Sequence, residues 1–283
     1  MAAAASLVAL GWATGLAAGT FPGLNGKIAF VRLENGVDQI YLANPDGSGL
    51  SRLAGAGNHD DPSWSSDGTR LAFESGGSIY VSNADGSAAL RVTRSRTDRD
   101  PSWSPDGRRL AFTRVRHANQ DLFAVNLDGT GLVRLTQSGA RDQDPAWSPD
   151  GGRIAFASRR ADNWELYLMN ADGRGERRLT RTRATEGLPA WSPDGTRLAY
   201  YRKSGRGADI YVLNLVAGPP QRLTADPAND DNPAWSPDGT RIVFASDRRR
   251  VSKLFVMLAD GSGLAPLTTG TERDDLPDWQ PVR

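Results

Sequence analysis

Beyond Gly26 the apolar positions come in short runs bounded by turn residues, and no segment sustains a helical period. One kind of run is Leu110 to Phe112 and Ile154 to Phe156; another is Asp121 to Val125 and Asp209 to Val212. In both, small and large apolar residues alternate, so both faces of the strand are apolar. A sheet with one wet face would alternate apolar with polar residues. Strands with two dry faces predict sheets sandwiched between other sheets, as blades stack around the axis of a β-propeller. Ahead of the first kind of run stands a Pro-x-Trp segment followed by Ser-Pro-Asp-Gly. In that turn Pro presets φ, Asp bonds back to the backbone and Gly accepts positive φ. After the second kind comes an Asn-x-Asp-Gly turn, at Asn44, Asn83, Asn126 and Asn170, then a segment ending in Leu-Thr. These predict four strands per unit, A to D. Arg134, Arg178 and Arg222 in the last segment suit an outer edge strand, where charge discourages pairing with other chains.

The unit repeats. Its tryptophans are Trp64, Trp103, Trp147, Trp191, Trp235 and Trp279, spaced 39, 44, 44, 44 and 44 residues apart. The chain opens on a unit without strand A, Lys27 to Leu53, and closes on a strand A alone, around Trp279. Joined, the two make one blade. The expected fold is all-β: a six-bladed β-propeller with four antiparallel strands per blade, the closing blade shared by the N- and C-terminal segments. The short first interval has two sources. Phe73 to Ile79 spans 6 residues where Phe112 to Leu122 spans 10, and Thr93 to Trp103 spans 10 where Thr136 to Trp147 spans 11. Both shortenings fall in loops at one end of the ring, B–C and D–A, and predict a notch in that rim.

Charge and composition remove several function classes. Net charge is +1, without the basic excess of a nucleic-acid binder. There is no cysteine, which excludes disulfides, thiolate catalysis and cysteine zinc sites. Two histidines, His59 and His117, leave little for a metal or triad site. The chain has no Gly-x-Ser-x-Gly elbow, phosphate loop or His-Glu-x-x-His motif. The Asn-x-Asp-Gly turns lack the alternating acids and distant Glu of a calcium loop. No catalytic residue, metal or cofactor is expected. Residues 2–19 are uncharged and rich in Ala, Leu, Val and Gly, as in the apolar core of a secretory signal peptide. Cleavage before Thr20 would leave 20–283 as a single propeller domain, periplasmic or secreted, monomeric and without a permanent membrane span.

The WSPDG-type units from Gly26 to Pro281 resemble the PD40 (WD40-like) repeats of the TolB-like propeller family. Periplasmic TolB carries an N-terminal α/β domain beside its propeller, and this chain resembles the propeller part. The resemblance implies protein–protein association in the cell envelope, with an envelope or secreted protein as partner. The expected function is that of a non-catalytic binding platform acting through the loop face at the channel mouth. The alternative is a propeller that binds or processes a carbohydrate or polyanion there.

Candidate residues cluster in the D–A loops. Three positions before each motif proline stand His59, Asp98, Asp142, Glu186, Asp230 and Asp274. Two before stand Asp60, Arg99, Gln143, Gly187, Asp231 and Asp275. Strand A is innermost in a propeller, so the acids at the third position are expected to ring one channel mouth. The bland counterpart is an acid that accepts backbone hydrogen bonds and supports the turn. The ring is broken at His59, where His59, Asp60 and Asp61 form a cluster outside the repeat pattern. Trp164, assigned to a B–C loop, is a candidate aromatic anchor. The B–C loops carry Arg114, Arg116, Arg159, Arg160, Arg202, Lys203, Arg206 and Arg248 to Arg250, a basic rim suited to steering a partner.

Overall fold

The computed structural model describes residues 23–55, 58–117, 119–205 and 207–282. The expected signal segment 1–19 and Arg206 lie outside the described residues. Six four-stranded antiparallel sheets form the blades of a closed propeller. Blade 2 is representative, with strands A to D at Asp98–Trp103, Arg109–Arg116, Asn119–Asn126 and Val133–Arg134. Blades 1, 3, 4 and 5 span 59–91, 142–178, 185–222 and 230–266. In blade 6 strand A is Arg273–Val282, from the end of the chain, and strand B is Leu24–Glu34, from its start.

The apolar faces of strands B and C meet between blades. Ala111, Leu122 and Ala124 of blade 2 pack against Trp147, Ile154 and Phe156 of blade 3. All six motif tryptophans are buried against the preceding blade. Each ring removes about 200 Å² from water, roughly 5 kcal/mol before the entropy of ordering is subtracted. The guanidinium groups of Arg70, Arg109, Arg153 and Arg197 each lie over the tryptophan of the next blade, 4.5–5.2 Å from the ring centroid. The ring is also fastened where its ends meet. The Asp278 carboxylate accepts the Trp64 amide (2.6 Å), and Gln280 Nε2 donates to the Gly68 carbonyl (2.7 Å).

Short side-chain links hold each blade flat. In the Leu-Thr segments the threonine Oγ1 accepts an amide of strand C, as Thr136 does from Leu122 at 3.0 Å. The Ser-Pro-Asp-Gly turns close internally: Ser104 Oγ bonds Asp106 (2.6 Å), which also accepts the Arg108 amide (3.0 Å). The outer-strand arginines are paired rather than free. Arg134, Arg178 and Arg222 bond Asp121, Glu165 and Asp209, the acids near the start of strand C (2.9, 2.5 and 2.7 Å).

A buried ion pair recurs in five blades. Asp98, Asp142, Glu186, Asp230 and Asp274 are all 0% exposed, and they pair with Arg114, Arg160, Arg202, Arg248 and Arg32. Each of these arginines also lies over two aromatic rings of its own blade, as Arg114 does over Phe112 and Phe123 at 5.2 and 5.0 Å. Removing one partner strands a charge without solvent. Arg114→Met is therefore expected to destabilise the protein by about 3–5 kcal/mol, whereas Asp98→Leu with Arg114→Met recovers most of that loss. Urea denaturation of both variants checks this; a cost below about 1 kcal/mol for the single change would contradict it.

Candidate functional site

The mouth of the channel is built by the residue just before each motif proline. Asp61, Asp100, Asp144, Leu188, Asn232 and Leu276 line a channel cavity of about 220 Å³ together with the prolines and tryptophans that follow them. A strand alternates its faces, so positions one and three before the proline would ordinarily point the same way. Here a bulge intervenes: the ladder shifts register between Arg99 and Ser102, and likewise in the other blades. All six residues take left-handed backbone angles, φ 50–54°. The bulge turns this residue into the channel and leaves its neighbour two back in the sheet.

This corrects the expected acidic ring. Asp98, Asp142, Glu186, Asp230 and Asp274 do not face the channel; they are the buried partners of the strand-B arginines. Four members of the expected basic rim, Arg114, Arg160, Arg202 and Arg248, are turned inward in the same pairs. Arg116, Arg159, Lys203, Arg249 and Arg250 remain exposed. His59 replaces the ion pair of blade 1. It is 8% exposed, with its ring 4.9 Å from that of Phe73, and burial, then the Arg52 charge, lowers its pKa. A two-residue turn, Gly76 and Gly77, closes the B–C hairpin of this blade, the expected notch. A Cβ on Gly77 would lie 2.0 Å from the Arg96 carbonyl oxygen, so the D–A loop rests on that turn.

The second position before the proline is half-buried in most blades. Arg99 sits 3.6 Å from Asp100, and Gln143 Nε2 donates to Asp144 (3.2 Å). Asp60 accepts the Asp61 amide at 3.0 Å. Asp231 accepts from Asn232 Nδ2 (3.2 Å), and Asp275 accepts from Ser252 (2.6 Å) and pairs with Arg273. Trp164 lies in strand C of blade 3, Asn163–Asn170, rather than in a loop; it is half-buried and lines neither the channel nor the cavity beside it.

The channel mouth is electrostatically divided. Blades 1 to 3 present Asp61, Asp100 and Asp144, and blades 4 to 6 present Leu188, Asn232 and Leu276. Asp61 Oδ2 accepts the Asp100 amide (3.1 Å), and Thr113 Oγ1 accepts the Asp144 amide (3.3 Å). Burial, then the Asp100 charge, pushes the Asp144 carboxyl up to about 7, and the same two causes raise Asp61 well above the usual carboxylate range. Burial likewise raises Asp100 and takes Asp278, deeper in the channel, up to about 6. Among the described residues no group of three or more His, Asp or Glu is disposed to hold a metal ion.

Asp and Asn tolerate left-handed angles, so four of the six rim residues are at ease. Leu188 (φ 53°) and Leu276 (φ 52°) are not, and a cost of about 1–2 kcal/mol attends each. Outliers of this kind gather where a surface is used. In the sequence all six of these positions stand one before the motif proline, and of them only Asp61 is among the candidate residues. The mixture Asp, Asp, Asp, Leu, Asn, Leu before an invariant proline was the available signal.

A raised carboxyl binds more protons folded than unfolded, so its contribution to stability is whole below about pH 4 and lost as pH rises through about 7. Asp144→Asn removes that loss. The variant is expected to gain up to about 4 kcal/mol over the parent at pH 8, and much less at pH 4.5. Urea titrations at the two pH values check it; an equal effect at both would contradict it.

Comparison with known proteins agrees with this architecture. The family model described as TolB beta propeller domain matches residues 94–186 and 182–282, together well over half of the chain. Among solved structures, TolB from Acinetobacter baumannii is similar with a TM-score of 0.81 and 22% identity, over 90% of this chain and 67% of that one. A putative TolB from Agrobacterium tumefaciens gives 0.71 and 21%, over 87% and 89%. An oligogalacturonate lyase from Vibrio parahaemolyticus gives 0.60 and 15%, over 89% and 77%. At these identities the solved structures speak for the fold alone. No curated protein matches by sequence. The family model and the six closed blades agree: this chain belongs to the TolB beta-propeller family of PD40 repeats.

Proposed function

We propose that the protein is a non-catalytic, extracytoplasmic binding platform that docks an envelope or secreted protein at its channel mouth. The observation that carries this reading is the divided rim: two leucines in strained backbone angles stand opposite three carboxylates, around one opening. A partner segment that places a Lys or Arg side chain on the Asp61, Asp100 and Asp144 arc and an apolar side chain on Leu188 and Leu276 satisfies both halves. Insertion of the cation relieves the repulsion among the acids, and burial of the apolar group returns what the left-handed leucines cost. The exposed Arg116, Arg159 and Arg249 stand at the B–C hairpins outside this rim and would steer an acidic flank of the same partner. Membership of the TolB beta-propeller family supports a protein partner over a small substrate.

Affinity capture from envelope extract of the source organism tests the proposal, with the parent chain beside the triple variant Asp61→Asn, Asp100→Asn, Asp144→Asn. The expected result is one or more proteins retained by the parent and reduced at least tenfold on the variant. Equal capture by both baits would place the docking surface elsewhere.

A further inference from the structure

A second cavity, of about 540 Å³, lies beside the channel mouth where blades 4, 5 and 6 meet. It arises from departures from the repeat. In blade 4 the position two before the motif proline is Gly187, and Tyr201 stands across the sheet from it. The corresponding pairs in blades 3 and 5 are Gln143 with Ala157 and Asp231 with Ala245, so blade 4 reverses the sizes. A Cβ on Gly187 would lie 2.9 Å from Tyr201 Cε1 and 3.1 Å from its hydroxyl oxygen, so the missing side chain lets the tyrosine lie against strand A. In blade 5 Asn229 bridges to Ala208 of blade 4 and is fixed by two hydrogen bonds to the Asp247 carboxylate (2.8 and 2.7 Å). This rigid join forms one wall.

Four polar groups converge on the cavity with nothing of their own to bond. The Tyr201 hydroxyl, the Lys203 ammonium and the Arg250 guanidinium have no hydrogen-bond or ion-pair partner among the described residues, nor does the second carboxylate oxygen of Asp231. Burial, then the Asp275 charge, pushes the Asp231 carboxyl up to about 7. Lys203 and Arg250 are exposed and Tyr201 and Asp231 half-buried, so a ligand here takes the place of water on all four groups. The charges of the lining balance: Asp231, Asp247 and Asp275 against Lys203, Arg250 and Arg273. Asp275 is paired with Arg273 and Asp247 is bonded to Asn229, so the groups left to a ligand are Lys203, Arg250, the Tyr201 hydroxyl and the Asp231 carboxyl, which between them donate and accept. A hydroxyl both donates and accepts, so neighbouring hydroxyls can join a carboxylate to an ammonium or guanidinium. The cavity lies in the size range of small-molecule sites and has room for a sugar ring.

We propose that this side cavity binds a saccharide residue, held through its ring hydroxyls by Tyr201, Asp231, Lys203 and Arg250. None of these four lines the channel.

Saturation-transfer NMR of the full chain tests this with a panel of free sugars: glucose, galactose, N-acetylglucosamine, galacturonate and the β-linked disaccharides of the first three. Inorganic phosphate and diglycine serve as charged comparators. At least one sugar is expected to saturate with a Kd below about 5 mM. Tyr201→Phe, which removes one hydroxyl, and Asp231→Asn are each expected to weaken it tenfold or more, with thermal transitions close to the parent. Gly187→Val, which displaces the tyrosine without touching a polar group, is expected to do the same, and Asp128→Asn, in an exposed outer turn of blade 2, to leave the affinity unchanged. Saturation by no sugar would overturn the proposal, as would equal affinity in Tyr201→Phe and Asp231→Asn. Saturation by phosphate or diglycine in place of the sugars would overturn it as well.

Discussion

A sheet with two apolar faces has no stable existence in water unless both faces are covered, and a linear stack of such sheets always leaves two faces bare. Closing the stack into a ring removes the bare faces. That constraint accounts for the tryptophans buried between blades and for the use of Arg273–Val282 as strand A of blade 6, beside the strands at the start of the chain. It also fixes the channel, because strand A of every blade must meet its neighbours around the axis. The channel rim is then a place where all six blades present side chains to a common space.

The blades share a second device that the ring makes necessary. Strands packed on both sides have little room for polar groups, yet each blade needs its D–A loop tied to its B–C hairpin. A carboxylate–arginine pair laid over two aromatic rings does this within a dry layer, as with Asp98, Arg114, Phe112 and Phe123. The arginine comes from the residue directly opposite in blades 2, 4 and 6, and from two residues further along in blades 3 and 5. Blade 1, whose hairpin is cut to a two-residue turn, reaches neither position and puts the His59 ring over Phe73 instead. Five arginines are thus used inside the blades, each against a buried carboxylate.

The strand pattern, the blade count, the closing blade and the notch were legible because they depend on periodicity and spacing, which a repeat displays openly. The rim was legible only in part. Asp98 and Asp100 are both acids in the same loop, yet one is sealed against Arg114 and the other lines the channel. What separates them is a single bulged residue at φ 54°, and a bulge reverses facing without leaving a mark on hydrophobic alternation. Trp164 was misplaced for a related reason: strand C of blade 3 runs further toward the hairpin tip than the apolar run alone suggests. The side cavity could not be read from composition, since it depends on Tyr201 filling the space that Gly187 leaves empty.

The central claim is that the rim just before the motif prolines, and not the outer edge of the blades, is the surface a partner meets. Site-specific photocrosslinking in the source organism tests it most directly, with a benzophenone side chain placed at Leu276 on the rim or at Val133 on the exposed outer strand of blade 2. The expected result is a discrete protein adduct from position 276 and none from position 133. An adduct from 133 alone, or none from 276, would contradict the account.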